Sequence, residues 1–141
     1  MTNKKRKIAL QLLDNLSIAY DRFKEIQTTQ LLDENLSITQ FEALKVLLKT
    51  GPIPLNKISI TTLVTGANIT YVIDYLEKAG FVKRVFSKND RRVIQAELTK
   101  KGKDKIESIL PKYSKSLASL ASCLSSSEQK EMVRLLDKLN L

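Results

Sequence analysis

The chain has 141 residues, 43% of them hydrophobic, with 24 Lys and Arg against 15 Asp and Glu, a single cysteine and no histidine. That length suits one domain with a modest core. The lack of histidine removes a required member from Ser–His–Asp triads, Cys–His pairs and most zinc sites.

A lone Cys123 cannot close an internal disulfide, which fits a reducing compartment. No apolar run is long enough to cross a bilayer, and no hydrophobic stretch of signal-peptide type follows the basic N-terminus. A cytoplasmic location without a membrane partner is expected. With no glycine-rich phosphate loop or metal-ligand cluster either, the expectation is of no enzyme, no cofactor and no metal. The net charge of +9 is unevenly placed. Residues 83–105 carry nine basic side chains (Lys83, Arg84, Lys88, Arg91, Arg92, Lys100, Lys101, Lys103, Lys105) against Asp90, Glu97 and Asp104, and Lys4–Lys7 add four more. Charge gathered in one segment points to a polyanion partner, with a solvated surface as the plain alternative.

Residues 4 to about 32 read as one long helix, because Ile8, Leu12, Leu16, Ala19, Phe23 and Ile26 step by three and four with no Gly or Pro between them. Its stripe must be covered by the domain core or by a second subunit. Ser37 and Gln40 fit a capping box that opens a second helix, with Phe41, Leu44, Leu47 and Leu48 inward and Gly51-Pro52 as its stop. Ile53 suggests a brief strand, and Pro54 the start of a short third helix to about Thr61. The fourth helix is Thr65 to Gly80, with Thr65 as N-cap and Gly80 just past the end. Ile69, Val72, Ile73 and Leu76 define its buried face, and Ala67, Thr70, Tyr71 and Asp74 the opposite one. Gly66, Ala67 and Asn68 open it with small or neutral polar groups that can approach base edges closely. Two short helices joined by a tight turn, the second polar outside, form a helix-turn-helix pattern.

Phe81–Phe86 and Val93–Leu98 read as strands around a turn-rich loop, Ser87–Arg92. A basic hairpin placed after a helix-turn-helix is a wing, whose arginines suit the negative potential of a narrow minor groove. Thr99 caps a helix to about Ser122, along which Ile106, Leu110, Tyr113, Leu117, Leu120 and Leu124 make a heptad-like seam. Pro111 is expected to kink or break it near 107–111. Ser125–Glu128 starts a last helix with Met132, Leu135, Leu136 and Leu139 on one side. The fold class is mostly α (α+β): a winged helix-turn-helix lobe over 33–99, with dimerisation helices over 1–32 and 100–141 of one domain.

The chain resembles the MarR family of bacterial winged-helix regulators over nearly its whole length. The resemblance is carried by Ser37–Leu44, Leu63–Thr70 and Leu76–Val82, and above all by Asp90-Arg91-Arg92 followed by Leu98-Thr99-Lys100-Lys101-Gly102. It implies a homodimer whose first and last helices intertwine, with the recognition helix Thr65–Ala79 in the major groove and the wing in the minor groove of double-stranded DNA. It also implies a repressor acting on pseudo-palindromic operators, and release by a small aromatic or phenolic effector or by thiol oxidation. By position, Arg92 is the wing arginine and Asp90 the acid that orients the wing through a salt bridge. Thr65, Ala67, Asn68, Thr70 and Tyr71 face bases and phosphates. Gly66 at the helix start and Lys88 and Arg91 in the loop are further candidate DNA-binding residues, Arg91 as a phosphate contact or a solvent-facing neighbour. Two departures stand out: Tyr75 and Ala79 occupy positions that are often basic in the family, and the first helix has no cysteine.

Several residues carry a second reading. Asn68 suits a bidentate contact with adenine or a local bond at the helix start, and Tyr71 a phosphate or the wing. Tyr20, Phe23 and Tyr113 are candidates to line an effector pocket or to be core. Cys123 is expected as a small buried hydrophobe among the dimerisation helices. The alternative function is a protein-interaction module on a winged fold with an incidental basic face.

Overall fold

The computed structural model of the chain describes residues 2–62 and 66–140, and the side chains among them outside 60–67. The chain divides into two compact units, Thr28–Pro111 and the pair Met1–Gln27 with Lys112–Leu141.

Nearly all of the buried core lies in the 28–111 unit. Helix α1, Asn3–Leu31, ends there through a 3₁₀ turn, Leu32–Glu34, and Asn35 in the left-handed region. Helix α2, Ile38–Thr50, begins with the expected capping box: Ser37 Oγ accepts from the Gln40 N–H, and Gln40 Oε1 accepts from the Ser37 N–H. It buries Phe41, Ala43, Leu44, Val46 and Leu47. Gly51, at φ 74°, ends it. Strand β1 is Ile53–Pro54 and helix α3 is Leu55–Thr62. Pro54 therefore does not start the helix; it pairs with Gln95 on an edge strand, where a residue without an N–H is tolerated.

Helix α4, Gly66–Lys78, buries Ile69, Val72, Ile73 and Leu76, the face the spacing predicted. It ends in a Schellman motif. The Phe81 N–H reaches Leu76 O at 2.9 Å, the Gly80 N–H reaches Glu77 O at 3.0 Å, and Gly80 takes φ 80°. Strands β2, Val82–Phe86, and β3, Ile94–Leu98, are one residue shorter at their starts than expected. They join β1 in a three-stranded antiparallel sheet of order β1-β3-β2. The third strand is what the isolated hairpin needed, since two strands alone are marginal in water.

Helix α5 is Lys100–Leu120 and runs through Pro111 without interruption. The expected break is absent. One intrahelical bond is lost there, but Pro111 and Glu107 are both exposed, so the unpaired carbonyl can be met by water. Buried Ile106, Ile109 and Tyr113 hold the helix on either side.

The second unit holds the first part of α1, the last part of α5, a 3₁₀ turn at Ala121–Cys123 and helix α6, Ser126–Leu139, which opens with its own capping box, Ser125 with Glu128. Among its described residues only Tyr113 and Gln27 are buried, joined by a 2.6 Å bond from Gln27 Nε2 to the Tyr113 hydroxyl. Ile8, Leu10, Leu12, Leu13, Ile18, Met132, Val133, Leu135 and Leu139 are all exposed. Cys123 is exposed too, contrary to the buried position expected of it, and lines an open groove of about 860 Å³ with Phe23, Ile26, Leu117 and Met132. The single chain does not supply the atoms that would cover it.

The start of α5 closes tightly on the end of α4. Thr99 Oγ1 donates to Gly80 O at 2.6 Å and accepts from the Gly102 N–H at 3.0 Å, while the Thr99 N–H donates to Phe81 O at 3.0 Å. A Cβ on Gly102 would fall 1.9 Å from Phe81 O. Gly102→Ala is therefore expected to destabilise the chain by about 2–3 kcal/mol and to lower the melting temperature by about 10 °C. An unchanged thermal unfolding curve would show that this approach carries no constraint.

Candidate nucleic-acid interface

Helix α4 turns its apolar stripe inward against α2 and α3. Asn68 and Thr70 are exposed, and Tyr71 is 78% exposed. Gly66 and Ala67 form the first turn of the helix, and Thr65, the expected N-cap, lies outside the described residues. A helix start with small groups and exposed polar side chains next to it is a shape that can enter a groove.

The wing loop is built by a turn. The Val93 N–H donates to Asp90 O at 3.0 Å and the Ser87 N–H to Val93 O at 2.9 Å, placing Arg91 and Arg92 at the two central positions. Asp90 holds the turn from its first position. Its Oδ1 accepts from the Arg92 backbone N–H at 3.0 Å and from Arg92 Nε at 3.1 Å, and its Oδ2 accepts from Arg92 at 3.1 Å. Aspartate suits this place because its short carboxylate reaches a backbone N–H two residues on. The Arg92 side chain stays 90% exposed despite the pair. Lys88 and Arg91 are exposed and make no ion pair among the described residues.

Two residues outside the candidate DNA-contacting set join these parts. Arg84 on β2 sits opposite the buried Ala96 and so shares the inward face of the sheet. Its NH2 reaches Asp74 Oδ1 at 2.6 Å and its NH1 reaches Glu77 Oε1 at 2.8 Å, both acids on α4. Its backbone N–H donates to Glu77 Oε2 at 3.2 Å. The bond to Asp74 is the largest cause of a raised Arg84 pKa; partial burial opposes it and the charge of Glu77 adds to it. Tyr75, also on α4, donates from its hydroxyl to Asn35 O at 2.7 Å, across from the corner after α1. A legible signal existed for Arg84: a cation on the inward face of a strand calls for a partner, and two acids stand three apart on the helix beside it.

The basic segment is therefore less uniform than its composition. Arg84 pairs with Asp74 and Glu77, Lys83 with Glu97, Lys100 with Asp104 and Lys105 with Glu34. Lys101 donates to Ala79 O at 2.8 Å and lies over the Phe81 ring. Of the candidate effector residues, Tyr20 is exposed with Lys24 above its ring, Phe23 lines the groove with Cys123, and Tyr113 is buried on Gln27. Among the described residues no His, Cys, Asp and Glu side chains cluster as a metal ion would need, and no helix is long and apolar enough to cross a membrane.

Residues 36–94 match the family profile described as MarR family. The chain is 32% identical over 130 residues to YkoM of Bacillus subtilis (strain 168), named as an HTH-type transcriptional regulator, covering 92% of this chain and 84% of that protein. It is 31% identical over 133 residues to the HTH-type transcriptional regulator MhqR of the same organism, covering 94% and 92%. Among solved structures, that of Bordetella bronchiseptica BpsR, described as showing regulation of DNA binding by 6-hydroxynicotinic acid, matches with a TM-score of 0.83 at 26% identity over 93% of this chain and 99% of that one.

The hydrogen bond from the Arg92 side chain, then that from its backbone, lowers the Asp90 pKa below the ordinary 3.8. A lowered carboxylate pKa means that the pair is intact above the ordinary value and is lost only as pH falls through the lowered one. Carboxyl-carbon NMR titration should find Asp90 below 3.8 in the wild type and moved back toward it in Arg92→Ala. Arg91→Ala should leave it in place. A wild-type Asp90 at its ordinary value would remove the pair from the wing.

Proposed function

This chain belongs to the MarR family, and from that premise we propose that it is a sequence-specific DNA-binding regulator that acts as a homodimeric repressor in the cytoplasm. Its recognition helix is α4 and its wing is the loop 87–93. The observation that carries this reading is the shared placement of two outward elements on one unit: exposed Asn68, Thr70 and Tyr71 on α4, and exposed Arg91 and Arg92 at the wing turn. Helix side chains of this kind read base edges in a major groove. Arginines on a thin loop suit the minor groove beside it. Thr65, Gly66 and Ala67 belong to the same surface by position, and Lys88 adds a phosphate contact.

The homodimer is supported by the second unit, which exposes apolar side chains from both α1 and α6 and buries almost nothing of its own. A two-fold pair of such chains places two recognition helices on successive major grooves, about 34–36 Å apart, and so reads a pseudo-palindrome. Light scattering should give a mass twice the 16.0 kDa of one chain. A concentration-independent monomer would contradict the dimer. A small aromatic ligand releases the DNA by favouring a dimer in which that spacing misfits; the similarity to BpsR, whose DNA binding is described as regulated by 6-hydroxynicotinic acid, supports a ligand of this class.

The test is selection of bound duplexes from fragmented genomic DNA of the source organism at several salt concentrations. Enrichment of a pseudo-palindrome is the expected result, and absence of binding at low salt would move the reading to a protein-interaction module. On the selected duplex, Arg92→Ala is expected to raise Kd at least about tenfold and to reduce the slope of log K against log salt by about one, with the dimer mass unchanged. Wild-type affinity in that variant would remove Arg92 from the interface.

A further inference from the structure

We propose that Arg84 is a positioning residue for DNA reading: its forked guanidinium, bonded to Asp74 and Glu77, holds the wing and the recognition helix as one rigid two-point reader. The inference rests on the DNA-binding reading of α4 and the wing.

The geometry is specific. The two guanidinium nitrogens of Arg84 go to two different carboxylates, at 2.6 Å for Asp74 and 2.8 Å for Glu77. Glu77 uses its other oxygen on the Arg84 backbone N–H, 3.2 Å away. Strand β2 is an edge strand and Arg84–Ala96 is a pair without ladder hydrogen bonds, so this N–H faces outward from the sheet and Glu77 closes it. Side chain and main chain of one residue are thus fixed to one helix. Arg84 is two residues from the end of β2, after which the wing loop begins. The loop follows the strand, and the strand follows α4.

Charge points the same way. Asp74 and Glu77 are the acids of α4, and Lys78 is its one base. Both acid side chains are nearly half exposed, at 48% and 42%. Two bare carboxylates on a helix that enters a DNA groove would repel phosphates. Arg84 offsets them from the side, and its own 26% exposure leaves little of it to meet DNA. Arg84 is therefore a tether and not one of the DNA contacts that the basic segment supplies.

A lysine keeps the charge but cannot present two separated nitrogens in a planar fork. That separates positioning from charge. With the duplex selected by the wild-type chain and a scrambled duplex of equal length, the ratio of the two Kd values measures specificity. Arg84→Lys should lower that ratio by about tenfold, the size of one misplaced base contact, while binding to the scrambled duplex and the melting temperature stay near wild type. The double variant Asp74→Asn/Glu77→Gln should bind the scrambled duplex more tightly, because two negative charges are gone, and still lose specificity. It keeps Arg84 itself, so it serves if Arg84→Lys does not fold. A ratio within about twofold of wild type in both variants, a spread smaller than one base contact, overturns the tether. A wild-type chain without sequence preference overturns the DNA-reading assignment itself, and this inference with it.

Discussion

The Thr99 hydroxyl is the point on which the winged unit depends. It donates to Gly80 O, just past the end of α4, and accepts from the Gly102 N–H, one of the free N–H groups in the first turn of α5. The Thr99 N–H meanwhile holds Phe81 O, and the Phe81 N–H holds Leu76 O. Four elements meet in this clasp: the end of α4, the entry to β2, the exit from β3 and the start of α5. It explains the Leu-Thr-x-x-Gly motif in physical terms. Threonine supplies a donor and an acceptor at once, and Gly102 leaves room for the Phe81 carbonyl, where any side chain would collide. Lys101 closes the outside over Phe81 and Ala79 O.

From that clasp the sheet projects the wing, and electrostatics then decides what each basic residue does. A count of charges treats Arg84, Lys105 and Arg92 alike. The structure separates them. Lys105 is two-thirds buried or more and joins Glu34 at 2.7 Å, which fixes α5 to the turn after α1. Arg84 fixes the sheet to α4. Arg92 pairs with Asp90 yet remains open to solvent. An exposed pair of this kind contributes little to stability. Its effect is on shape: the aspartate fixes the turn so that the arginine leaves the loop in a set direction.

Much of this was legible in the sequence because local chemistry and long-range packing agree. The capping boxes at Ser37 and Ser125, the stop at Gly80 and the stripe Ile69–Leu76 each follow from side chains within one helical turn of each other. The errors lie where a distant partner decides. Pro54 looked like a helix start until β3, some forty residues later, claimed it as an edge strand. Pro111 looked like a break, but packing on both sides holds the helix through it. Arg84 and Tyr75 were visible as residue types, and only the fold shows that one reaches back seven and ten residues and the other forty. Cys123 was expected inside a core that the single chain does not form.

That missing core has a consequence for regulation. The 28–111 unit carries its own buried centre, whereas the other unit leaves leucines, isoleucines and methionine on α1 and α6 in the open. At about 25 cal/mol per Å² of apolar surface removed from water, such faces drive association. In the homodimer we propose, folding of these helices and pairing of the chains are then one equilibrium, and stability depends on protomer concentration. Helices α1 and α5 each run from this unit into the winged one. In the regulation we propose, a ligand acts by favouring a dimer whose recognition helices are misspaced, since DNA, with its fixed helical repeat, tolerates little change in that spacing.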